Sequence, residues 1–245
     1  MSLSAKYYGS NTWLLQIEQS YILVDPWFIG SLILGPGRWF FEGTLSTTYK
    51  LPPKIDLILL TQGLEDHTHI ETLKIIDKKI PIICSPSGFR TVTQIGFKNV
   101  QEISPGEILR FNDINIRATS GAKVPNQENG YIINNRNFSL YIEPHGFVDN
   151  TLIKQKADVI ISPFITLGLP FAGDFICGET SIIKLIEIFN PSYVLGTITG
   201  ENITVKGILN KFIDVKDLDI NKLQQQYKEI KFILPKAGSR ILPIR

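Results

Sequence analysis

Residues 57–69 constrain the fold of this chain more than any other stretch. They read Leu-Ile-Leu-Leu-Thr-Gln-Gly-Leu-Glu-Asp-His-Thr-His, an apolar, strand-like run that stops at Thr61 and is followed by a polar turn. Thr68 and Glu71 form a Thr-x-x-Glu capping box, which predicts a helix directly after the turn. Many α/β folds place a reactive site at the carboxyl end of a sheet through this order of strand, ligand-rich turn and helix.

Hydrophobic periodicity predicts alternating strands and helices along the rest of the chain. The pattern indicates a hairpin, a strand–helix–strand–helix unit, an antiparallel meander and a second strand–helix alternation, in that order: residues 12–25, 55–95, 100–142 and 158–234. A helix is expected at 218–230. This order favours one α/β domain over residues 1–245, built as a four-layer αββα sandwich in which two facing sheets carry helices on their outer faces.

Two stretches without a regular period, residues 26–41 and 163–178, are rich in aromatic and leucine side chains. Pro and Gly interrupt them, so we expect loops. Their aromatic side chains either pack onto the core as a satellite cluster or line a ligand pocket. In the second interpretation Trp27 and Trp39 contact the substrate, the ligand is apolar or amphipathic, and a partner chain, such as a second copy in a homodimer, becomes plausible.

Composition excludes several classes of protein. The chain has 25 basic and 23 acidic residues, too balanced a charge to indicate a nucleic acid or an anionic membrane surface as partner. No run approaches the roughly 20 apolar residues of a membrane span. The two cysteines, Cys84 and Cys177, form no CxxC pair and are expected to be buried free thiols. We therefore expect a soluble, cytoplasmic protein.

Two segments resemble the metallo-β-lactamase superfamily. They are Tyr-Ile-Leu-Val-Asp-Pro-Trp-Phe at residues 21–28 and Ile-Asp-Leu-Ile-Leu-Leu-Thr-Gln-Gly-Leu-Glu-Asp-His at 55–67. More narrowly, they look like the branch of the ascorbate-6-phosphate lactonase type, in which a strand ending in Asp-Pro-Trp-Phe precedes the metal loop. The resemblance covers nearly the whole chain in its order of elements and implies the αββα sandwich.

The resemblance implies a metal site of which half is missing. The metal loop of the family reads Thr-His-x-His-x-Asp-His, and residues 61–67 match it. Gln62 and Leu64 stand where two zinc-ligating histidines are expected, and Leu64 cannot coordinate a metal while Gln62 offers only an amide oxygen. The third histidine of that zinc is expected within 119–129, which contains none. Lys123 in this segment is either a solvated loop lysine or a contact for an anionic ligand.

The second metal position of the family is better preserved. Asp66 and His67 match its ligands. Its bridging aspartate is expected at Pro144, and the neighbouring Glu143 and His145 offer a carboxylate or an imidazole instead. A late histidine is expected within 197–200, which has none. The resemblance thus implies at most one divalent metal, such as zinc, bound by Asp66, His67 and either Glu143 or His145.

Two functions from different classes remain open. The first is a divergent hydrolase that acts on a small ester, lactone or phosphoester, with Asp66 and His145 as catalytic residues and Gln62 near the substrate; without metal, His145 would be a base poised by Glu143 or Asp66. The second is a non-catalytic descendant that binds a ligand or a protein. In that case Asp66, His67, Glu143 and His145 form a small hydrogen-bonded structural cluster. His69 is expected to be a surface or cap residue.

Overall fold

The computed structural model describes residues 3–123, 126–170 and 172–244, with the side chains of 242–244 left out. In chain order the elements are β1 (Leu3–Gly9), β2 (Thr12–Ile17), β3 (Ser20–Val24), β4 (Ser31–Leu34), β5 (Phe41–Leu45), β6 (Leu57–Leu60), α1 (Ile70–Ile75), β7 (Ile82–Cys84), α2 (Pro86–Ile95), β8 (Val100–Glu102), β9 (Ile108–Phe111), β10 (Ile114–Ser120), β11 (Asn129–Asn134), β12 (Ser139–Ile142), β13 (Val159–Pro163), β14 (Ile165–Leu169), β15 (Gly173–Ile176), α3 (Glu179–Phe189), β16 (Tyr193–Thr197), β17 (Ile203–Lys206), β18 (Asp214–Asp217), α4 (Ile220–Gln226), β19 (Lys231–Ile233) and β20 (Arg240–Ile244). A 3₁₀ helix covers Leu209–Phe212. Among these described elements, no helix is both long and apolar enough to cross a membrane.

The chain forms two compact units. Unit 1 contains the described residues up to Glu102, then Gly200–Ile213 and the described part of 236–245. Its larger sheet has the order β20-β1-β2-β3-β6-β7-β8. The strands from β20 to β3 pair antiparallel, and those from β3 to β8 pair parallel. The predicted hairpin and crossover unit are therefore confirmed.

Helices α1 and α2 cover one face of this sheet. Leu73 of α1 and Val92 of α2 belong to one buried cluster with Leu23, Ile58 and Leu60 of the strands. All four residues of β6 are buried, as expected for a parallel strand covered on its faces. Helix α2 has Pro86 at its first position and ends at Gly96, whose φ of 105° only glycine adopts without strain.

Unit 2 contains the described residues of Ile103–Thr199 and Asp214–Pro235. Its larger sheet has the order β19-β16-β13-β12-β11-β10-β9, antiparallel from β9 to β12 and parallel from β12 to β19. Helices α3 and α4 pack on it through a buried cluster that includes Tyr141, Leu185 and Leu223. Each unit thus joins an antiparallel half-sheet to a parallel one, and the single domain over 1–245 stays a prediction.

Four sequence-based assignments were wrong. The predicted meander began at residue 100, but β8 pairs parallel with β7 in unit 1. The loops expected at 26–41 and 163–178 contain the hairpins β4–β5 and β14–β15. These short strands are completed by β17 and β18, which lie far away in the sequence, so no local pattern announces them. Helix α4 is shorter than 218–230, because Asp219 caps it by accepting from the backbone N–H of Lys222.

Candidate functional site

The unit 1 cluster consists of Asp25, Thr61, Asp66 and His67. Asp25 directly follows β3 and Thr61 directly follows β6, and because these strands pair in parallel their carboxyl ends meet at one edge of the sheet. The Asp25 carboxylate accepts the backbone N–H of Thr61 at 2.9 Å and its hydroxyl at 2.6 Å. Asp25 is buried and has a φ of 41°, an unusual conformation for an aspartate that marks a strained turn.

His67 lies between two carboxylates and is fully buried. Its Nδ1 is 2.8 Å from Asp25 Oδ2, and its Nε2 is 3.2 Å from Asp66 Oδ2. Burial alone would lower the pKa of His67, but the charges of Asp66 and Asp25 raise that pKa well above its usual value. Burial raises the pKa of Asp25 against the opposing effect of His67. The ring therefore directs Nδ1–H at Asp25 and presents Nε2 on the side of Asp66.

His69 has a different environment. It is the N-cap of α1, where its Nδ1 accepts the backbone N–H of Thr72 at 3.2 Å. The residue is buried, its ring centroid is 5.8 Å from that of Trp27, and burial lowers its pKa. The expected cap role is confirmed and the expected surface position is wrong. Thr68 is not the cap, because its hydroxyl donates to the carbonyl oxygen of Gln62.

The unit 2 cluster consists of Glu128, Glu143 and His145. In the antiparallel pairing of β11 with β12, Tyr131 lies opposite Ile142, and continuing this register sets Glu128 opposite His145. His145 Nδ1 is 2.9 Å from Glu128 Oε1, and the backbone N–H of His145 donates to Glu143 Oε1 at 3.2 Å. Both glutamates are fully buried, and His145 is 8% exposed.

The surroundings of Glu143 favour its neutral form. Burial raises its pKa well above the usual value, and the charge of Glu128 and a hydrogen bond with it raise it further. When protonated, Glu143 can donate to an ionised Glu128, which can only accept. Gly121 makes room for the pair, since a Cβ there would lie 3.0 Å from Glu128 Oε2 and 3.2 Å from Glu143 Oε1.

The other predicted site residues lie in contrasting environments. Gln62 and Trp27 are buried, whereas Trp39 is 66% exposed and Lys123 is exposed. The backbone N–H of Trp27 donates to the Thr12 hydroxyl, which itself donates to the carbonyl oxygen of Asp25. Contact with a substrate stays a prediction for these four residues.

Residues 197–200, where the resemblance places a late histidine, contain a strained position. Ile198 has a φ of 52°, which is rare for a β-branched residue. Such a conformation costs on the order of 1–3 kcal/mol and persists only where the surrounding structure imposes it.

Asp25 and Glu128 are the site residues that sequence reasoning missed. A signal for Asp25 was present, because an aspartate that ends one parallel strand lies beside the residue that ends the next. Glu128 could be found only from the strand register, because Glu128 and His145 belong to different strands and no local spacing connects them.

Comparison with known proteins identifies the class to which these clusters belong. A family model described as the beta-lactamase superfamily domain matches residues 4–197. The chain therefore belongs to this superfamily, and the predicted metallo-β-lactamase-like α/β fold class is confirmed. A search of curated protein sequences finds no match.

Solved structures of the same fold are similar over nearly the whole chain. A possible metal-dependent hydrolase from Veillonella parvula has 18% identity and a TM-score of 0.66, covering 98% of this chain and 99% of its own. Isothiocyanate hydrolase from Delia radicum gut bacteria has 15% identity and a TM-score of 0.68, with coverage of 98% and 99%. The metallo-beta-lactamase fold protein YhfI from Bacillus subtilis has 13% identity and a TM-score of 0.64, with coverage of 99% and 100%. At these identities the likeness establishes the fold alone.

Proposed function

We propose that this chain is a hydrolase that cleaves a small ester, lactone or phosphoester with at most one divalent metal. The observation that carries the proposal is the fixed orientation of His67, whose Nδ1 is bound to the buried carboxylate of Asp25 at 2.8 Å. Metal-binding histidines typically donate their second ring nitrogen to a carboxylate in this way, which fixes the tautomer of the ring. The ascorbate-6-phosphate lactonase-like branch and a cytoplasmic location are part of the proposal.

The donor set fits zinc. A catalytic zinc takes about three protein ligands and keeps one position for water or substrate. The proposal assigns Asp66, His67 and either His145 or Glu143 to one ion. Glu143 fits less well, because its carboxyl group already accepts the backbone N–H groups of His145 and Gly146. When bound, zinc would acidify water and polarise the carbonyl or phosphoryl group of the substrate.

The residues of the chain supply orientation and proton transfer. Asp66, with a side chain 20% exposed, and His145 are the proposed catalytic residues. If no metal is bound, His145 would act as a base at Nε2, poised by Glu143 or Asp66. Gln62, Trp27, Trp39 and Lys123 are the proposed substrate contacts. An apolar or amphipathic substrate suits the aromatic side chains, and two of the structurally similar proteins are themselves described as hydrolases, one of them as possibly metal-dependent.

Metal content tests the proposal. The wild-type chain and the variants Asp66→Ala, His67→Ala and His69→Ala are purified without chelator, and bound metals are measured by mass spectrometry alongside hydrolysis of ester, lactone and phosphoester panels. We expect about one metal per wild-type chain, lost in the first two variants and kept in His69→Ala, the control for a buried histidine. A metal-free wild type with no activity on the panels would contradict the proposal.

A non-catalytic binding protein is the second candidate. It is favoured by Gln62 and Leu64 at two ligand positions and by exposed apolar side chains in unit 1. Trp39, Ile208 and Phe212 are 66%, 46% and 55% exposed, and the backbone N–H of Ile208 donates to the carbonyl oxygen of Trp39. Large exposed apolar groups often mark binding surfaces, including homodimer interfaces. Sedimentation of the wild type and of Trp39→Ser would test self-association.

A further inference from the structure

We propose that Glu128 is a positioning residue for His145: its carboxylate lies against Nδ1, favours a proton on that nitrogen and so leaves Nε2 as the working atom of the ring. The effect on activity rests on the proposed function. Which nitrogen of His145 carries the proton does not rest on it, because this is a property of unit 2 with or without a metal or a substrate.

The geometry defines which nitrogen carries the proton. Glu128 Oε1 lies 2.9 Å from His145 Nδ1, and Glu128 is fully buried. When Glu128 is ionised, its carboxylate can only accept a hydrogen bond, so a contact of this length favours a proton on Nδ1. In the neutral ring the lone pair is then on Nε2, the nitrogen available for a proton or a metal ion.

Glu128 is itself held in place at both of its oxygens. The backbone N–H of Ala122 lies 3.3 Å from Oε2, on the side opposite the contact with His145. Glu143 adds a further hydrogen bond to the carboxyl group, and the backbone of His145 anchors Glu143 in turn. A side chain fixed on two sides can orient a ring without moving, which is what a positioning residue requires.

The contact is not a general property of buried histidines in this protein. His67 also directs Nδ1 at a buried carboxylate, that of Asp25. His69 is buried as well, but its Nδ1 accepts a backbone N–H at the start of α1 and therefore carries no proton. The two histidines assigned to the reaction thus both turn Nδ1 towards a buried carboxylate, whereas Nδ1 of the structural histidine faces a backbone N–H.

The tautomer can be measured directly, since the chain has only three histidines. The protein is labelled with ¹⁵N-histidine and treated with a chelator. Two-bond ¹H–¹⁵N correlations are then recorded at a pH where the ring of His145 is neutral. His67→Gln, His69→Gln and His145→Gln supply the assignments. We expect His145 to be protonated on Nδ1 in the wild type and to shift towards the Nε2–H tautomer, or to a mixture, in Glu128→Gln.

Glu143→Gln is the matched control. It alters the same buried cluster but leaves the Glu128 carboxylate beside His145, so the Nδ1–H tautomer should persist. Glu128→Asp keeps the carboxylate on a shorter side chain and should restore part of the wild-type signal if Glu128→Gln folds poorly, which thermal unfolding would reveal. A wild-type His145 protonated on Nε2, or an Nδ1–H tautomer unchanged in a folded Glu128→Gln, would overturn the proposal.

A second readout connects the ring to the proposed function. Loss of a hydrogen-bond partner behind a metal-binding histidine typically weakens metal affinity by about 10- to 100-fold, so zinc competition with a chelator should show this loss in Glu128→Gln and not in His69→Gln. If the wild type binds no zinc but the tautomer shifts as expected, the hydrolase proposal fails and the role of Glu128 stands. If zinc binds but the His145 tautomer does not depend on Glu128, the role proposed for Glu128 fails and the hydrolase proposal stands.

Discussion

The unit 1 and unit 2 clusters use the same parts in different ways. Each cluster places a histidine Nδ1 close to an oxygen of a buried carboxylate. The distance is 2.8 Å in unit 1 and 2.9 Å in unit 2. Unit 1 places its second carboxylate, Asp66, against the other nitrogen of the ring, whereas unit 2 uses its second acid, Glu143, to hold the first. The first arrangement places a carboxylate at each ring nitrogen and stabilises the charged imidazolium, and the second places a carboxylate at Nδ1 and orients the ring.

The largest effect is expected when the carboxylate of unit 1 is removed. Asp25→Ala removes the carboxylate beside His67 Nδ1 and also removes the acceptor of the Thr61 N–H and hydroxyl. Breaking a buried ion pair from one side costs about 3–5 kcal/mol of the free energy of unfolding. Urea denaturation would measure the loss, and Asp25→Asn, which keeps an acceptor, should lose less. A loss below about 1 kcal/mol would mean that His67 is not charged as the comparison requires.

The next effect concerns the turn that carries Asp66 and His67. A Cβ on Gly63 would lie 2.1 Å from the carbonyl oxygen of Ser87, a backbone atom that cannot move aside easily. Gly63→Ala should therefore destabilise unit 1 by at least about 1–3 kcal/mol in thermal or chemical unfolding.

Gly88→Ala is the matched control, because its Cβ would meet only ordinary contacts at 3.6 Å within α2. Alanine is favoured over glycine in helices, so this variant should be neutral or stabilised by about 0.5–1 kcal/mol. Equal losses of stability in Gly63→Ala and Gly88→Ala would contradict the predicted clash of a Cβ at Gly63 with the backbone.

The pH dependence of stability tests the neutral state of Glu143. Its folded pKa lies above the unfolded value, near 4.5, so in the window between them the folded chain binds more protons. The stabilisation is therefore fully present below the unfolded pKa and is lost as pH rises through the folded pKa. The pKa of His67 is also raised and contributes in the same direction, between its own unfolded and folded values.

Glu143→Gln removes the Glu143 contribution and keeps that of His67. In urea denaturation with chelator present, the wild type should lose stability relative to Glu143→Gln as pH rises from about 4.5. If the difference in free energy of unfolding between the two proteins stayed constant across pH, the pKa of Glu143 would not be raised on folding. The contrast drawn between the two clusters would then fail.

The smallest effect is expected at Gly121. A Cβ there would lie 3.0 Å from Glu128 Oε2 and 3.2 Å from Glu143 Oε1, so these atoms need to shift by only a few tenths of an ångström. Gly121→Ala should therefore cost no more than about 1 kcal/mol in unfolding measurements. It should still disturb the hydrogen bond from His145 Nδ1, visible in the same ¹⁵N spectra. A loss as large as that of Gly63→Ala would show that unit 2 is as rigid at this point as unit 1.

The sequence predicted the long, buried elements and missed the features that depend on distant partners. Residues 57–60 and 180–189 are apolar enough to define β6 and most of α3 without further information. Strands β5 and β14 pair with segments remote in sequence, and only the folded chain identifies them. The site divides in the same way: Asp66 and His67 follow from the motif, whereas Glu128 is found only through the pairing of β11 with β12.

The pairing of β1 with β20 has a consequence for synthesis of the chain. Arg240 donates to the Ser4 hydroxyl, 236 residues earlier, and β20 covers the outer edge of β1. A ribosome that adds about 5–20 residues per second must therefore run for many seconds before this edge is paired. During that time β1 can join the strand of another nascent chain, so factors that cover exposed strand edges should raise the yield of folded protein.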